Sequence, residues 1–168
     1  MMQRQGKYIF GGISGVLLLL GLDQGSKYLA VTGLKSKPAI PVISGVFELR
    51  YLENAGAAFG ILQNQRLFLL LFTLLIFAAL VVVYMRIPMG GHYLPLRFIC
   101  VLVGAGAIGN MVDRFLYGYV VDFFYFSLID FPIFNVADCY VTIACVLVLL
   151  FVLFFYKEED FAFLWSKR

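Results

Sequence analysis

Residues 67–85 form a run of 19 residues without a charged side chain, and this run limits most strongly what the chain can fold into. A helix needs about 20 predominantly apolar residues to cross the hydrocarbon core of a bilayer, so the run predicts a transmembrane helix. Three further apolar stretches, at about residues 8–31, 94–112 and 139–156, are similar in length. The sequence therefore predicts four transmembrane helices in one integral membrane domain, residues 1–168.

The composition suits lipid better than water. Hydrophobic residues make up 62% of the chain and charged residues 14%, whereas a soluble domain carries about a quarter charged residues. The net charge of +3 is small and no basic–aromatic run is present, so we expect no nucleic-acid partner. Three cysteines without a CxxC pair and a single histidine, His92, predict neither a metal site nor a catalytic histidine triad.

The distribution of basic residues predicts the orientation. Four spans place both termini on one side of the membrane. The tails and the loop between the second and third spans carry seven basic residues, and the opposite side carries five: Arg4, Lys7, Arg86, Arg97, Lys157, Lys167 and Arg168 against Lys35, Lys37, Arg50, Arg66 and Arg114. By the positive-inside rule, both termini are cytoplasmic. The first span continues into polar residues without a small-residue cleavage site, so we expect it to be retained.

The two outer loops are longer than the cytoplasmic one and contain most of the unusual polar residues. Residues 47–51 alternate apolar and charged side chains, which predicts a half-buried strand. Residues 120–126 surround Asp122 with valine and aromatic side chains. We expect so apolar a loop to lie on the membrane surface.

Ionisable residues near the membrane are costly, so each of them requires a partner or a function. Asp23 and Lys27 are four residues apart on one helix face, which predicts either a functional ion pair or an anchor that reaches the interface. Asn110, Asp113 and Arg114 share one face at the end of the third span. Arg114 is predicted to brace a carboxylate or a substrate carbonyl, or to anchor the helix end.

Asn135 and Asp138 lie three residues apart just before the fourth span, which predicts a helix N-cap as readily as a functional site. Asp122 has no capping role and no cationic neighbour in the sequence, so its burial would raise its pKa. Asp130, beside Phe131-Pro132, is predicted to be a turn residue. Two carboxylates held together in an apolar site share a proton, and one can then activate water while the other protonates a leaving group. The residue pattern alone leaves open whether Asp122 meets Asp138.

Five short segments, in order along nearly the whole chain, resemble the lipoprotein signal peptidases, also called type II signal peptidases. The segments are Asp23-Gln24 with Lys27, Asn54-Ala55-Gly56-Ala57-Ala58-Phe59-Gly60, Gly109-Asn110-Met111-Val112-Asp113-Arg114, Val120-Val121-Asp122-Phe123 and Phe134-Asn135-Val136-Ala137-Asp138. Each one alone is a weak signal, but five in order are specific together.

The resemblance implies an aspartic endopeptidase in which Asp122 and Asp138 are the catalytic residues. It assigns substrate-binding or supporting roles to eight further residues: Asp23, Lys27, Asn54, Gly56, Asn110, Asp113, Arg114 and Asn135. The implied substrates are prolipoproteins that carry diacylglycerol on a cysteine, with cleavage just before that cysteine and no metal or organic cofactor.

The implied fold is an all-α membrane protein of four transmembrane helices with a small extracytoplasmic β-sheet cradle. The implied location is the bacterial cytoplasmic (inner) membrane, with the active site at the extracytoplasmic face. We expect a monomer in contact with membrane lipid.

Two other classes of function remain open from the residues alone. A proton-coupled transporter or a channel subunit would use the same carboxylates as a relay. It would require polar residues near the middle of several spans, and the second span offers only Thr73. A non-catalytic membrane scaffold would use the aspartates as helix caps, but it gives no reason for Asp122 within an aromatic run.

Overall fold

The structure, a computed structural model, describes residues 2–56 and 61–165. Within these residues the chain forms four long helices, three strands and three short 3-10 turns. The helices are α1 (Met2–Leu34), α2 (Arg66–Arg86), α3 (Leu94–Tyr117) and α4 (Val136–Phe154); the strands are β1 (Ile40–Ile43), β2 (Phe47–Asn54) and β3 (Val120–Tyr125); the 3-10 turns are Gly91–Tyr93, Ser127–Ile129 and Glu158–Leu164. The predicted architecture of four helices with a small sheet is confirmed.

All four helices are long and apolar enough to cross a bilayer. In α2 only Leu69 is buried, and large side chains such as Leu67 and Phe72 are more than half exposed. A helix that shows apolar side chains on nearly every face requires lipid around it, because water would make that surface costly. The chain is a multi-pass membrane protein.

The observed helices differ from the predicted spans at their ends. Helix α3 continues to Tyr117 and ends at Gly118, whose positive φ of 85° lets its backbone N–H return to the carbonyl oxygen of Arg114. Helix α4 begins at Val136, three residues before the predicted start, because the side chain of Asn135 caps it. Both extensions bring polar residues of the outer loops into regular helix.

Helix α3 is the centre of the bundle and packs against the other three helices. Its small residues permit this close approach. A Cβ on Gly106 would lie 2.6 Å from the carbonyl oxygen of Ala137, and one on Gly109 would lie 2.5 Å from Oδ2 of Asp23. The backbones of α3 and α4 therefore approach closely at the level of the polar residues, and the Asp23 side chain of α1 packs directly against α3.

The three strands form one antiparallel sheet in the order β1-β2-β3, which confirms the strand predicted at residues 47–51. The expectation that residues 120–126 form a surface loop was wrong. Most of this segment is β3, and Val121 and Phe123 pack against Ala30 and Leu34 at the end of α1. Alternate strand residues point to opposite faces, so Asp122 points away from this cluster and toward α3 and α4.

Candidate active site

The structure brings together all ten residues that the sequence singled out. They are linked by hydrogen bonds and ion pairs at the end of the bundle where α1 and α3 finish and α4 begins: Asp23, Lys27, Asn54, Gly56, Asn110, Asp113, Arg114, Asp122, Asn135 and Asp138. This end is opposite to the start of α1 and the finish of α4. Ala57 to Gly60, predicted as part of the second segment, lie outside the described residues.

Asp122 is almost completely buried, with 1% of its surface exposed. Its Oδ2 accepts a hydrogen bond from Nδ2 of Asn54 (2.9 Å), and its Oδ1 accepts one from Nδ2 of Asn135 (2.6 Å). Burial raises the pKa of this carboxyl to about 7. The two amide donors and the positive charge of Lys27 act against this rise, and the nearby charge of Asp138 adds to it. A carboxyl with this pKa can hold a proton near neutral pH.

Asp138 is half-buried and lies in the first turn of α4. Its Oδ2 accepts from the backbone N–H of Asn135, while the side chain of Asn135 accepts from the backbone N–H of Asp138, both at 3.1 Å. The predicted helix cap is therefore real, in the reciprocal form of a capping box. Oδ1 of Asp138 accepts from Nδ2 of Asn110 at 2.8 Å.

Asn135 connects the two carboxylates. Its Nδ2 donates to Asp122, and its backbone N–H donates to Asp138. The same Nδ2 also donates to Oδ1 of Asn110 at 3.1 Å, so both of its side-chain N–H groups are in use. Asn135 and Asp138 can therefore cap α4 and lie beside Asp122 at the same time. The hydrogen bonds of the cap hold Asp138 next to Asn135, whose side chain binds Asp122.

A second cluster of buried polar side chains is centred on Lys27 and is linked to Asp138 through Asn110. Lys27 is 3% exposed and Asp23 is fully buried, so the alternative of an anchor that reaches the interface was wrong. Nζ of Lys27 lies 3.0 Å from Oδ2 of Asp23, 3.0 Å from Oδ2 of Asp113 and 3.0 Å from Oδ1 of Asn110. A buried ammonium with three acceptors uses all three of its N–H donors.

Gln24 belongs to this cluster, although sequence reasoning assigned it no role. Its Nε2 lies within hydrogen-bond distance of Oδ2 of Asp23 (3.1 Å), Oδ1 of Asp113 (2.9 Å) and the carbonyl oxygen of Gly109 (3.3 Å). The signal was available, because a polar amide next to Asp23 inside an apolar span requires a partner.

The hydrogen bonds of Arg114 go to backbone carbonyl oxygens rather than to either carboxylate. Its Nη2 donates to the carbonyl oxygen of Gly56 (2.7 Å), and its Nη1 donates to that of Asn110 (3.4 Å). Its Nε is buried and has no hydrogen-bond partner within residues 2–56 and 61–165. The guanidinium therefore holds the residues just after β2 against α3, and its predicted role as a brace for a carboxylate or a substrate carbonyl, or as a helix-end anchor, stays a prediction.

Within the part of the chain that the structure describes, no group of three or more His, Cys, Asp or Glu side chains is arranged to hold a metal ion. Of the three cysteines, only Cys100 is buried; Cys139 is half-buried and Cys145 is exposed.

Comparison with known protein families identifies the family to which the chain belongs. The model of the family described as "Signal peptidase (SPase) II" matches residues 15–154. The chain belongs to the signal peptidase II family. The matched range contains every residue of the site described above.

Relatives of known name agree with this membership of the signal peptidase II family. The lipoprotein signal peptidase of Streptococcus thermophilus (strain CNRZ 1066) is 43% identical over 145 residues, covering 86% of this chain and 92% of that protein. The lipoprotein signal peptidase of Clostridioides difficile (strain 630) is 39% identical over 151 residues, covering 86% and 95%. A solved structure of a bacterial membrane enzyme superposes with a TM-score of 0.78 at 34% identity, covering 89% of this chain and 93% of that one.

Proposed function

We propose that this signal peptidase II removes signal peptides from diacylglyceryl-modified prolipoproteins, cleaving before the lipidated cysteine, with Asp122 and Asp138 as an aspartic catalytic dyad. The names of its relatives support the substrate class. The observation that carries the catalytic assignment is the bridge through Asn135, which binds both carboxylates at once.

The environments of the two carboxyls favour different roles. Asp122 is the more buried, and its raised pKa favours the protonated form near neutral pH. Asp138 is only half-buried and can meet water at the mouth of the site. In the proposed reaction Asp138 takes a proton from water, and the water oxygen forms a bond to the scissile carbonyl carbon. Asp122 then gives its proton to the departing amine nitrogen as the C–N bond breaks.

Two asparagines are available to stabilise the tetrahedral intermediate. Nδ2 of Asn54 and Nδ2 of Asn110 each make one hydrogen bond among the described residues, so each has a second N–H to offer. Neutral amide donors can hold a developing oxyanion without adding a charge that competes with the dyad.

The location of the site suits a substrate that lies in the membrane. The site occupies the end of the bundle that we assign to the extracytoplasmic face of the bacterial cytoplasmic membrane, with both termini cytoplasmic. At that position the scissile bond reaches water, while the acyl chains and the signal helix of the prolipoprotein remain in lipid. We propose that the enzyme acts there as a monomer.

Amide substitutions of the two aspartates test this function. Asp122→Asn and Asp138→Asn should each abolish cleavage of a diacylglyceryl-modified prolipoprotein by purified enzyme in detergent, because an amide keeps the shape of the side chain but cannot exchange the proton. Asp130→Asn is the matched control, since Asp130 lies in a turn and its carboxylate accepts, among the described residues, a hydrogen bond only from the hydroxyl of Tyr125. Unfolding of each variant is followed in parallel. Near-normal turnover by either folded dyad variant would refute the mechanism.

A further inference from the structure

The buried cluster around Lys27 makes hydrogen bonds beyond those that neutralise the charge of the lysine. Asp23 and Asp113, which flank the Lys27 ammonium, each also accept a hydrogen bond from a backbone N–H. Oδ1 of Asp23 accepts from the N–H of Ala137 at 2.9 Å, and Oδ2 of Asp113 accepts from the N–H of Val121 at 3.1 Å.

Both of these backbone N–H groups lie next to a member of the proposed dyad. Ala137 immediately precedes Asp138, and Val121 immediately precedes Asp122. The two carboxylates that hold Lys27 therefore also hold the backbone next to each member of the proposed dyad, one at the start of α4 and the other in β3.

A third connection runs from Lys27 through Asn110. A side-chain amide can present either its oxygen or its NH2 to a neighbour, and only the NH2 suits a carboxylate. Nζ of Lys27 binds Oδ1 of Asn110, so the NH2 of Asn110 is directed to Oδ1 of Asp138. The other two asparagines of the site have their oxygens fixed by backbone N–H groups, those of Gly56 and Asp138. Oδ1 of Asn110 accepts from the ammonium of Lys27 and also from Nδ2 of Asn135, so Asn110 is the one of the three whose oxygen is bound by a charged side chain.

We propose that Lys27 is a positioning residue for the peptidase reaction: through Asp23, Asp113 and Asn110 it fixes the relative placement of the Asp122 and Asp138 carboxylates. This inference rests on the proposed function, because it assumes that these two aspartates form the dyad. Among the described residues, Lys27 donates no hydrogen bond to either carboxylate; its contacts with the dyad run through its three partners, and its charge also acts on Asp122 at a distance.

Replacement of the ammonium by a methyl thioether tests the proposal. Lys27→Met keeps an unbranched side chain that is shorter by one heavy atom, and it removes the donors to all three partners. Misplacement of reacting groups by about 1 Å costs on the order of 100-fold in rate, so we expect kcat per folded enzyme to fall by about that factor. KM should change by less than about threefold, because Lys27 does not line the surface that the substrate meets. Lys35→Met is the control, since Lys35 is an exposed lysine that pairs with Glu53 and makes no bond to the site in the part of the chain that the structure describes.

The pH profile separates positioning from a purely structural role. The charges that face Asp122 are those of Lys27 on α1, Arg114 on α3 and Asp138 on α4. The positive charge of Lys27 lowers the pKa of Asp122, so its removal should move the alkaline limb of the profile to higher pH. A residue that only stabilised the fold would leave this limb unchanged in the folded fraction.

Lys27→Met leaves two buried carboxylates without their cation and can therefore prevent folding. In that case Lys27→Met combined with Asp113→Asn removes one charge of each sign, and the same fall in kcat is expected from it. Folded Lys27 variants with kcat within about twofold of the parent, or with a raised KM and unchanged kcat, would overturn the inference. Active Asp122→Asn or Asp138→Asn enzyme would instead overturn the proposed function, so the two failures are distinguishable.

Discussion

The raised pKa of Asp122 predicts that this residue lowers the stability of the fold above neutral pH. Folding moves its pKa from an ordinary 3.8 to about 7. Between these values the folded state holds a proton that the unfolded state has already released, so the free energy of unfolding falls as the pH rises. At about 1.36 kcal/mol per pH unit, the difference amounts to about 4 kcal/mol at pH 8 relative to pH 4.

The Asp122→Asn variant removes this titration. Its new amide places an NH2 against one of the amide donors of Asn54 and Asn135, which costs about 1–3 kcal/mol. That cost does not depend on pH, because none of the three amides titrates. The stability of the variant relative to the parent should therefore improve by about 4 kcal/mol between pH 4 and pH 8, whatever its value at either pH.

Unfolding in mixed micelles with increasing sodium dodecyl sulfate, measured for both proteins at several pH values, gives this difference directly. Carboxyls that do not interact with Asp122 titrate alike in both proteins and cancel in this difference. Two stability curves that run parallel from pH 4 to pH 8 would refute the reasoning, since Asp122 would then have the same affinity for its proton in the folded and unfolded chain. A loss of activity together with a gain in alkaline stability would identify Asp122 as a residue kept for chemistry rather than for folding.

Three further predictions can be tested in the same unfolding and cleavage assays. Asp23→Ala removes a buried partner of Lys27 and should lower the free energy of unfolding by about 3 kcal/mol, with activity falling alongside; unchanged stability would contradict the buried ion pair. Gly109→Ala places a Cβ 2.5 Å from a carboxylate oxygen and should reduce both stability and turnover, whereas Gly25→Ala, with open space around it, should be tolerated. Asp130→Asn should change stability by less than about 0.5 kcal/mol, because asparagine also accepts the left-handed φ of 48° found there.

The helices were predictable because their signal is local. An uncharged apolar run such as residues 67–85 has few ways to satisfy its backbone outside a transmembrane helix. The strand at residues 47–51 was predictable for a similar reason, since alternation with a period of two is visible within a few residues. Strand β3 was missed because its run of valine and aromatic residues shows no alternation, and a strand buried on both faces cannot be separated from an apolar loop by periodicity.

The contacts within the site depend on tertiary packing, which local patterns do not contain. The sequence showed that Asp23 and Lys27 share a helix face, and the ion pair between them is observed. The second carboxylate at Lys27, Asp113, comes from α3, and nothing in either helix indicates this pairing. The sequence therefore identified the residues of the site and their partners within one helix, but not their partners on other helices or strands.

Asp138 is a helix cap, and the catalytic role that we propose for it makes the same demands on its position, so position alone could not separate a cap from a catalytic group. A carboxylate in the first turn of a helix binds backbone N–H groups and is favoured by the helix dipole, so a capping aspartate is already rigid and already oriented. A catalytic carboxylate needs the same rigidity, because sites supported by regular helices hold their geometry better than sites on loops. Asp122 obtains its rigidity in another way, from a strand whose backbone is held by Asp113. The two carboxylates thus come from different kinds of element, and the buried charges beneath them are what connect those elements.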